Sequence, residues 1–307
     1  MKILVLGAGA IGGYYGARLR DAGADITFLV RERRAKQLAQ QGLVVKSSLG
    51  DYSNQVPTIV AGDAFSGVDI VILTCKAYDL EGACASIRPY LDAKTLIYPL
   101  LNGMLTYDWL DQEFGQERVL GGVAYIATTL MQDGQIEHMG ANDTIIVGTR
   151  DDGQVTAGRN LFDLFAKSKG TRTWSDDIEQ DLWEKWVMVA SGGIITCLMR
   201  GVIGDVLASD DGEKLARQAI AESASVSKAA GHELRPQAVA AANRILLDAS
   251  SRWGSSMMRD IEQGAAKIEG DQIVGDLVRR AAAFGLDVPL MRAAYCHLQV
   301  YQRRHES

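Results

Sequence analysis

Three glycines near the N-terminus, Gly7, Gly9 and Gly12, have a spacing that suits contact between backbone and phosphate. In the pattern G-x-G-x-x-G the first glycine permits a tight turn, the second lets the backbone approach a pyrophosphate, and the third lets a helix pack closely on a strand. The helix that begins at Ala10 and Ile11 points its amides and its dipole at the same phosphates. These residues predict a dinucleotide-binding turn.

Arg31 ends the second predicted strand, where the adenosine ribose of such a ligand would lie. An NAD site places a carboxylate there, whereas Arg31, with Arg33 and Arg34 close behind, suits a 2′-phosphate held by charge-assisted hydrogen bonds. The cofactor NADP(H) is therefore favoured. The alternative is a solvated basic start of a helix, which Glu32 supports.

Lys185 is the candidate proton donor, because it lies on an apolar face of a predicted helix. Counted at 3.6 residues per turn, that face also carries Leu182, Met188, Val189, Gly192, Gly193 and Thr196. Partial desolvation there lowers the pKa of a lysine and suits it to act as a general acid. The alternative is a snorkelling lysine whose stem covers apolar surface. Two adjacent glycines in a helix are unfavourable, and we interpret them as room for a ligand.

Four further polar residues are candidates by position. Lys76 and Asn102 follow the ends of two predicted strands, and ligands of open α/β sheets bind beyond those ends, so we expect both to converge on one crevice with the glycine turn and Arg31. Ser256 precedes a predicted helix, where capping is the alternative role. Glu269 opens another helix at the edge of an apolar stripe, and an ordinary helix-start glutamate is its alternative.

The elements that must position these residues follow a strand–helix–strand pattern typical of a βαβ unit. The predicted strands are 2–6, 25–30, 43–46, 55–60, 68–74 and 95–100, and the predicted helices between them are 10–22 and 33–41. Strand-like runs at 123–131, 135–139 and 144–147, with a hairpin turn at Asp133-Gly134, predict an antiparallel extension. A helix near 155–167 and a short strand through Trp174 follow.

Helical patterns dominate from Ser175, where we expect a helix with Asp176, Asp177 and Glu179 in its first turn. We therefore predict an α/β fold with two domains: a Rossmann-type NADP-binding domain with an antiparallel extension over residues 1–174, and an all-helical catalytic and substrate domain over residues 175–307.

The composition and charge of the chain argue against several classes of binding partner. The chain of 307 residues has a net charge of −6 and no long block of Lys or Arg, so neither nucleic acid nor a membrane surface is an expected partner. From the sequence, we expect no apolar run to be long enough to span a membrane, which favours a cytoplasmic location. The four cysteines are scattered without metal-ligand spacing, so no metal site is expected.

Taken together, several motifs resemble the ketopantoate reductase (2-dehydropantoate 2-reductase) family over essentially the whole chain. They are GAGAIG, FLVR, TCKAYD, LLNGM, GVAYIATTL, GQIEHMG, DLWEKW, SSMMRDIEQG and EGDQIVG, in the order of the family. The resemblance implies a Rossmann domain, a helical C-terminal domain, and NADPH-dependent reduction of a 2-oxo acid in pantothenate biosynthesis; it leaves a homodimer open.

The resemblance also implies roles for individual residues. Lys185 looks like the general acid and Glu269 like the catalytic carboxylate that holds the substrate's hydroxyl end. Lys76 would lie near the nicotinamide, Asn102 would hold cofactor or substrate, and Ser256 would bind the substrate carboxylate.

The chain departs from the family where asparagines usually contact a hydroxylated substrate. Val189, Gly193 and Ile203 occupy those positions. The departures favour a more apolar 2-oxo acid as the alternative substrate. A β-hydroxyacid dehydrogenase of related architecture is a further alternative, which Val189 weakens because that class usually has asparagine there. A non-catalytic NADP-sensing protein is another, and Lys185 and Glu269 argue against it.

Overall fold

The computed structural model describes residues 1–305, which form two compact units. The first unit contains Met1–Leu101 and Tyr107–Glu179, and the second contains Asn102–Thr106 and the chain from Gln180. The main division therefore lies between residues 179 and 180, compared with the predicted 174 and 175. No sequence pattern indicated that the short stretch 102–106 groups with the helical unit.

The first unit is an α/β structure with two sheets. Its strands are β1 (Lys2–Leu6), β2 (Asp25–Leu29), β3 (Leu43–Lys46), β4 (Tyr52–Asn54), β5 (Thr58–Ile59), β6 (Ile70–Leu73), β7 (Leu96–Pro99), β8 (Gly121–Leu130), β9 (Ile136–Gly148) and β10 (Thr171–Ser175). The helices in this part of the chain are α1 (Ala10–Asp21), α2 (Glu32–Gln41), α3 (Leu80–Ile87), α4 (Leu105–Phe114) and α5 (Val155–Ala166).

The first sheet has the strand order β5-β2-β1-β6-β7, and each neighbouring pair is parallel. Its central strand is buried on both faces, as Ile3, Leu4 and Val5 are all 0% exposed. A strand covered on both sides reads as a continuous apolar run, which explains why β1 and β6 could be predicted from their residues. This sheet confirms the predicted Rossmann-type architecture.

The second sheet has the order β10-β9-β3-β4, and β8 pairs with β9 in antiparallel fashion. The predicted hairpin at Gly134, which has a φ of +90°, joins these two strands. Two predictions were wrong in detail. The runs 135–139 and 144–147 are one strand, β9. Of the predicted strand 55–60 only β5 is a strand, and it pairs with β2, whereas β4 lies before the predicted range and pairs with β3.

A buried carboxylate joins the second sheet to the helix that follows the glycine turn. Asp143 of β9 accepts hydrogen bonds from the hydroxyls of Tyr14 (2.9 Å) and Tyr15 (3.0 Å) of α1. Arg172 of β10 forms an ion pair with the same carboxylate at 2.7 Å. The side chain of Arg172 is 4% exposed and that of Asp143 is 0% exposed. Burial raises the pKa of both tyrosines, so both hydroxyls keep the proton that they donate. The network fixes α1 on the sheet.

The second unit is helical, and the described residues after β10 contain no strand, as predicted. Its helices are α6 (Ile178–Met199), α7 (Ile203–Leu207), α8 (Gly212–Ala229), α9 (Pro236–Leu246), α10 (Ser256–Glu262), α11 (Asp276–Ala283) and α12 (Pro289–His305), with a π-helical turn at Asp271–Gly275. Ser175 does not open α6 as predicted. It ends β10, and its hydroxyl accepts a hydrogen bond from the amide of Asp177.

Helix α6 is the core helix of this unit. By length and composition alone it could cross a membrane, contrary to the expectation that no apolar run would be long enough. However, 78% of its most apolar stretch is buried inside the structure, including Trp186, Ala190 and Ile194. Its apolar character is therefore used in packing.

Candidate functional site

The glycine turn has the geometry that its spacing predicted. Gly7 has a φ of +89°, a conformation that favours glycine, and Gly9 is the N-cap of α1. A Cβ at Gly12 would overlap the carbonyl oxygen of Gly7 and the hydroxyl of Thr74, so only glycine lets α1 lie this close to the turn. A Cβ at Gly9 would project into open space. The backbone at Gly9 is therefore open to a ligand, with the α1 amides of Ala10 and Ile11 directly behind it.

The turn forms part of a groove of about 1420 Å³ in the first unit. The residues that line it come from the ends of β1, β2 and β6, from α2 and α3, and from the tip of the β8–β9 hairpin; they include Gly7, Gly9, Arg31, Arg33, Arg34, Cys75, Tyr78 and Met131. Lys76 itself stands between the groove residues Cys75 and Tyr78, at the start of the short 3-10 turn Ala77–Asp79. The groove is large enough for a dinucleotide.

Two of the three arginines that line the groove, Arg31 and Arg34, differ in how they are held. The side chain of Arg31 is 92% exposed, and its guanidinium lies 4.0 Å from the carboxylate of Asp79. Arg34 is half-buried, donating to the carbonyl of Ala8 in the glycine turn (3.1 Å) and to the carbonyl of Gly134 in the hairpin (3.0 Å). Arg31 can therefore turn toward an incoming anion, whereas Arg34 joins the turn to the hairpin tip.

Lys185 lies on α6, and burial lowers the pKa of its ammonium group to about 7. The cause is the loss of water around the charged form, as predicted from the apolar face. An amine with this pKa exists in both protonation states near neutral pH. It is suited to give and take a proton in a reaction.

The second unit places Asn102 and Glu269 in the neighbourhood of Lys185. A Cβ on Gly103, next to Asn102, would lie 2.8 Å from the carbonyl oxygen of Gln272 and 3.6 Å from the indole nitrogen of Trp186. That indole nitrogen donates to the carbonyl of Ile273 at 2.9 Å. The amide of Ile273 in turn donates to the carbonyl of Glu269 at 3.0 Å. These contacts connect Glu269 to the residues that follow Lys185 and Asn102 in the sequence.

Glu269 is 5% exposed and lies two residues before the first residue of the π-helical turn. Such turns are rare and are frequent at functional sites. Two oxygens that sequence reasoning missed belong to the same unit: Thr106 Oγ1 and Gln272 Oε1 are buried and have no hydrogen-bond partner among residues 1–305. No signal in the sequence points to them, because their burial depends on the packing of 102–106 against this turn.

The two serines near α10 have different positions. Ser255, not Ser256, caps the helix, since its hydroxyl accepts from the amide of Met258 at 3.0 Å and lies 2.9 Å from the hydroxyl of Thr196. Ser256 is the first residue of α10 and is partly exposed. Capping therefore explains Ser255 and leaves Ser256 available for another role.

The glycine pair of α6 is occupied by side chains of its own unit, which corrects its interpretation as room for a ligand. A Cβ on Gly192 would overlap the six-membered ring of Trp253, and a Cβ on Gly193 would lie 2.9 Å from Cε of Met257. Val189 is partly buried, whereas Ile203 is 0% exposed. The positions that differ from the family pattern are thus apolar and mostly buried, and Val189 lies one turn from Lys185 on α6.

Comparisons with known proteins agree with this architecture. The family model described as "Ketopantoate reductase PanE/ApbA" matches residues 3–152, and the model described as "Ketopantoate reductase PanE/ApbA C terminal" matches residues 177–302. "Uncharacterized oxidoreductase YkpB" of Bacillus subtilis (strain 168) is 35% identical over 302 residues, which cover 98% of this chain and 99% of that protein.

Two solved structures extend the comparison. The 2-dehydropantoate 2-reductase from Geobacter metallireducens GS-15 is 29% identical with a TM-score of 0.88, and the match covers 98% of this chain and 99% of that one. A D-mandelate dehydrogenase solved with NADH and anilino(oxo)acetate has a TM-score of 0.89 at 21% identity, with 100% of both chains covered; it shares the fold. The family models span most of the sequence, and the chain therefore belongs to the ketopantoate reductase PanE/ApbA family of oxidoreductases.

Proposed function

We propose that the protein reduces the carbonyl group of a 2-oxo acid with NADPH, and that 2-dehydropantoate is the first substrate to test. The observation that carries the proposal is Lys185, whose pKa is lowered to about 7 in the same neighbourhood as Asn102 and Glu269. A lysine with this pKa is an unusual feature for a protein that only senses a cofactor, because binding requires no proton donor.

The residues of the groove fit a nicotinamide dinucleotide. The amides at Gly9, Ala10 and Ile11 would bind the pyrophosphate, and Arg31 would bind a 2′-phosphate. Lys76 and Asn102 do not line this groove, and only the resemblance to the family assigns them to the nicotinamide end. When bound, the reduced nicotinamide supplies a hydride to the carbonyl carbon of the substrate. Protein groups must then manage the charge that develops on the carbonyl oxygen.

Lys185 would donate its proton to that oxygen, so that the reaction adds one hydride to carbon and one proton to oxygen. Glu269 would accept a hydrogen bond from a hydroxyl of the substrate, and Ser256 would donate one to the substrate carboxylate. The neutral amine left on Lys185 regains a proton from solvent, which its pKa near neutrality makes favourable.

A panel of 2-oxo acids, assayed by the loss of NADPH absorbance, tests the proposal. We expect 2-oxoisovalerate to be reduced with a kcat/KM within about tenfold of that for 2-dehydropantoate, because an apolar surface cannot strongly reject or require a hydroxyl. A preference for 2-dehydropantoate above about a thousandfold would mean that Asn102, Ser256 and Glu269 recognise the substrate without help from α6. No reduction of any 2-oxo acid would refute the function itself.

Replacing Arg31 by aspartate tests the cofactor. The KM for NADPH is expected to rise more than about tenfold, because a charge-assisted contact becomes a repulsion, while the KM for NADH changes little. Arg217→Asp on α8, which makes the same change of charge on an exposed helix surface, should alter neither value. Since the D-mandelate dehydrogenase structure contains NADH, the wild type must be assayed with both cofactors. Equal use of NADH and NADPH by the wild type would contradict this role of Arg31.

A further inference from the structure

The face of α6 that carries Lys185 contains a feature that the proposed function does not use. Lys185, Val189, Gly192 and Thr196 are spaced i, i+4, i+7 and i+11, so they lie in one row along the helix. Gly192 is about 10 Å from Lys185 along the helix axis, at about 1.5 Å per residue. The position of Gly192 in this row is covered by an aromatic ring.

That ring belongs to Trp253, and the backbone holds it in place. The carbonyl of Trp253 accepts a hydrogen bond from the amide of Ile203 at 3.0 Å, and its own amide donates to the hydroxyl of Ser251 at 3.3 Å. The edge of its six-membered ring lies where a Cβ of Gly192 would be. Because a glycine in the middle of a helix is less favourable than alanine, the chain gives up some helix stability to admit this ring.

Trp253 also differs in exposure and hydrogen bonding from the tryptophans of the hydrophobic core. It is partly exposed, unlike Trp183 and Trp186 of α6, which are 4% and 1% exposed. Its indole N–H has no hydrogen-bond partner among residues 1–305, whereas the indole of Trp186 donates to a carbonyl. A partly exposed ring with an unused donor, fixed against Gly192 in the row of the candidate proton donor, has surface left for a ligand.

The surroundings of the ring are apolar. Leu246 lies 3.1 Å from the Cβ position of Gly192, Met257 covers Gly193, and Val189 lies between Lys185 and Gly192 in the row. A ligand group that reaches the ring from Lys185 meets the partly exposed carbon atoms of Val189 and Trp253. Burying a polar hydroxyl there without a partner is unfavourable, whereas a hydrocarbon group gains from leaving water.

We propose that Trp253 is a substrate-binding residue, whose ring receives the side chain of the 2-oxo acid and selects branched or aromatic hydrocarbon side chains. The proposal rests on the proposed 2-oxo acid reduction, because it assumes that the carbonyl group of the substrate lies at Lys185. In the usual family pattern, asparagines at positions 189, 193 and 203 contact the substrate. The proposal assigns their role in choosing between substrates to Trp253.

The test compares wild type, Trp253→Ala and Trp253→Phe with NADPH and three substrates of increasing side-chain size: pyruvate, 2-oxoisovalerate and 2-oxo-3-phenylpropanoate. In Trp253→Ala we expect kcat/KM to fall by about 10- to 100-fold for the two larger substrates, chiefly through KM, and by less than about threefold for pyruvate. Trp253→Phe keeps an apolar ring and should stay within about fivefold of wild type throughout. Phe284→Ala, which removes an exposed aromatic ring of the same unit, is the matched control and should change nothing.

The outcomes separate the two claims. An equal loss for all three substrates in both Trp253 variants would show that Trp253 only supports the fold and would overturn this inference, while turnover by the wild type would leave the proposed function standing. No turnover by the wild type with any 2-oxo acid would overturn the proposed function and this inference with it. If Trp253→Ala does not fold, Trp253→Phe and Trp253→Leu give the same comparison of large and small substrates.

Discussion

Replacing Lys185 by alanine is expected to lower kcat for reduction of the 2-oxo acid by about 10²–10⁴-fold, the usual effect of losing a general acid. The physical reason is that the alkoxide formed by hydride addition has no proton donor, so its charge must be neutralised by water. The KM for NADPH should stay near the wild-type value, because the groove of the first unit does not include this residue. Steady-state kinetics with both substrates varied measures the two effects separately.

Lys214→Ala is the matched control, since it removes an exposed lysine from α8 of the same unit and should leave kcat unchanged. Loss of NADPH affinity at unchanged kcat in Lys185→Ala would contradict the assignment. It would place Lys185 in cofactor binding.

The pH dependence of the wild type gives an independent signature of the same group. Reduction requires the protonated ammonium, so kcat/KM for the 2-oxo acid should decrease as pH rises through the Lys185 pKa of about 7. Oxidation of the corresponding 2-hydroxy acid requires the neutral amine and should increase through the same pH. A rate profile with no transition near this pH would argue against Lys185 as the acid.

Among the proposed substitutions, Asp143→Ala should cause the largest decrease in the free energy of unfolding. The change leaves the guanidinium of Arg172 buried without its ion-pair partner and two tyrosine hydroxyls without their acceptor. Removing one partner of a buried pair costs about 3–5 kcal/mol. Urea unfolding followed by circular dichroism measures the change, and NADPH binding should weaken in parallel, because α1 loses its attachment to the second sheet.

The control for this variant is Asp51→Ala. It removes an ion pair with Lys46 in which both side chains are about half exposed, so the unfolding midpoint should not move measurably. Equal, small effects of both substitutions would mean that the buried network contributes no more than a surface pair.

The parts of the fold that the sequence predicted well are those in which local and tertiary requirements agree. The segment from β1 through α1 to β2 matches its prediction to within one residue at each end, because a buried parallel strand, a glycine turn and a helix each leave a local pattern. The predicted break inside β9 failed for the opposite reason. Asp143 is a poor strand residue by type, and its buried position is favourable because Arg172 and the two tyrosines of α1, all distant in sequence, donate to its carboxylate.

The same distinction applies to the candidate site. The glycine turn, Arg31 and Lys185 could be proposed from spacing, since each depends on its own strand or helix. Gln272 and Trp253 could not, because one depends on the packing of 102–106 and the other on a ring that replaces a missing Cβ. Residues whose role arises from two distant segments leave no periodic signal in either segment.

The fit of the Trp253 ring to Gly192 also constrains the order in which these two positions can change during divergence. A rigid indole cannot move aside as a flexible side chain does, so any larger residue at 192 is incompatible with tryptophan at 253. Trp253 can be replaced first, at the cost of a cavity above a glycine, and only then can Gly192 gain a side chain. The reverse order passes through an overpacked intermediate. Relatives of this protein are therefore expected to combine tryptophan at 253 with glycine at 192, and to have a side chain at 192 only together with a smaller residue at 253.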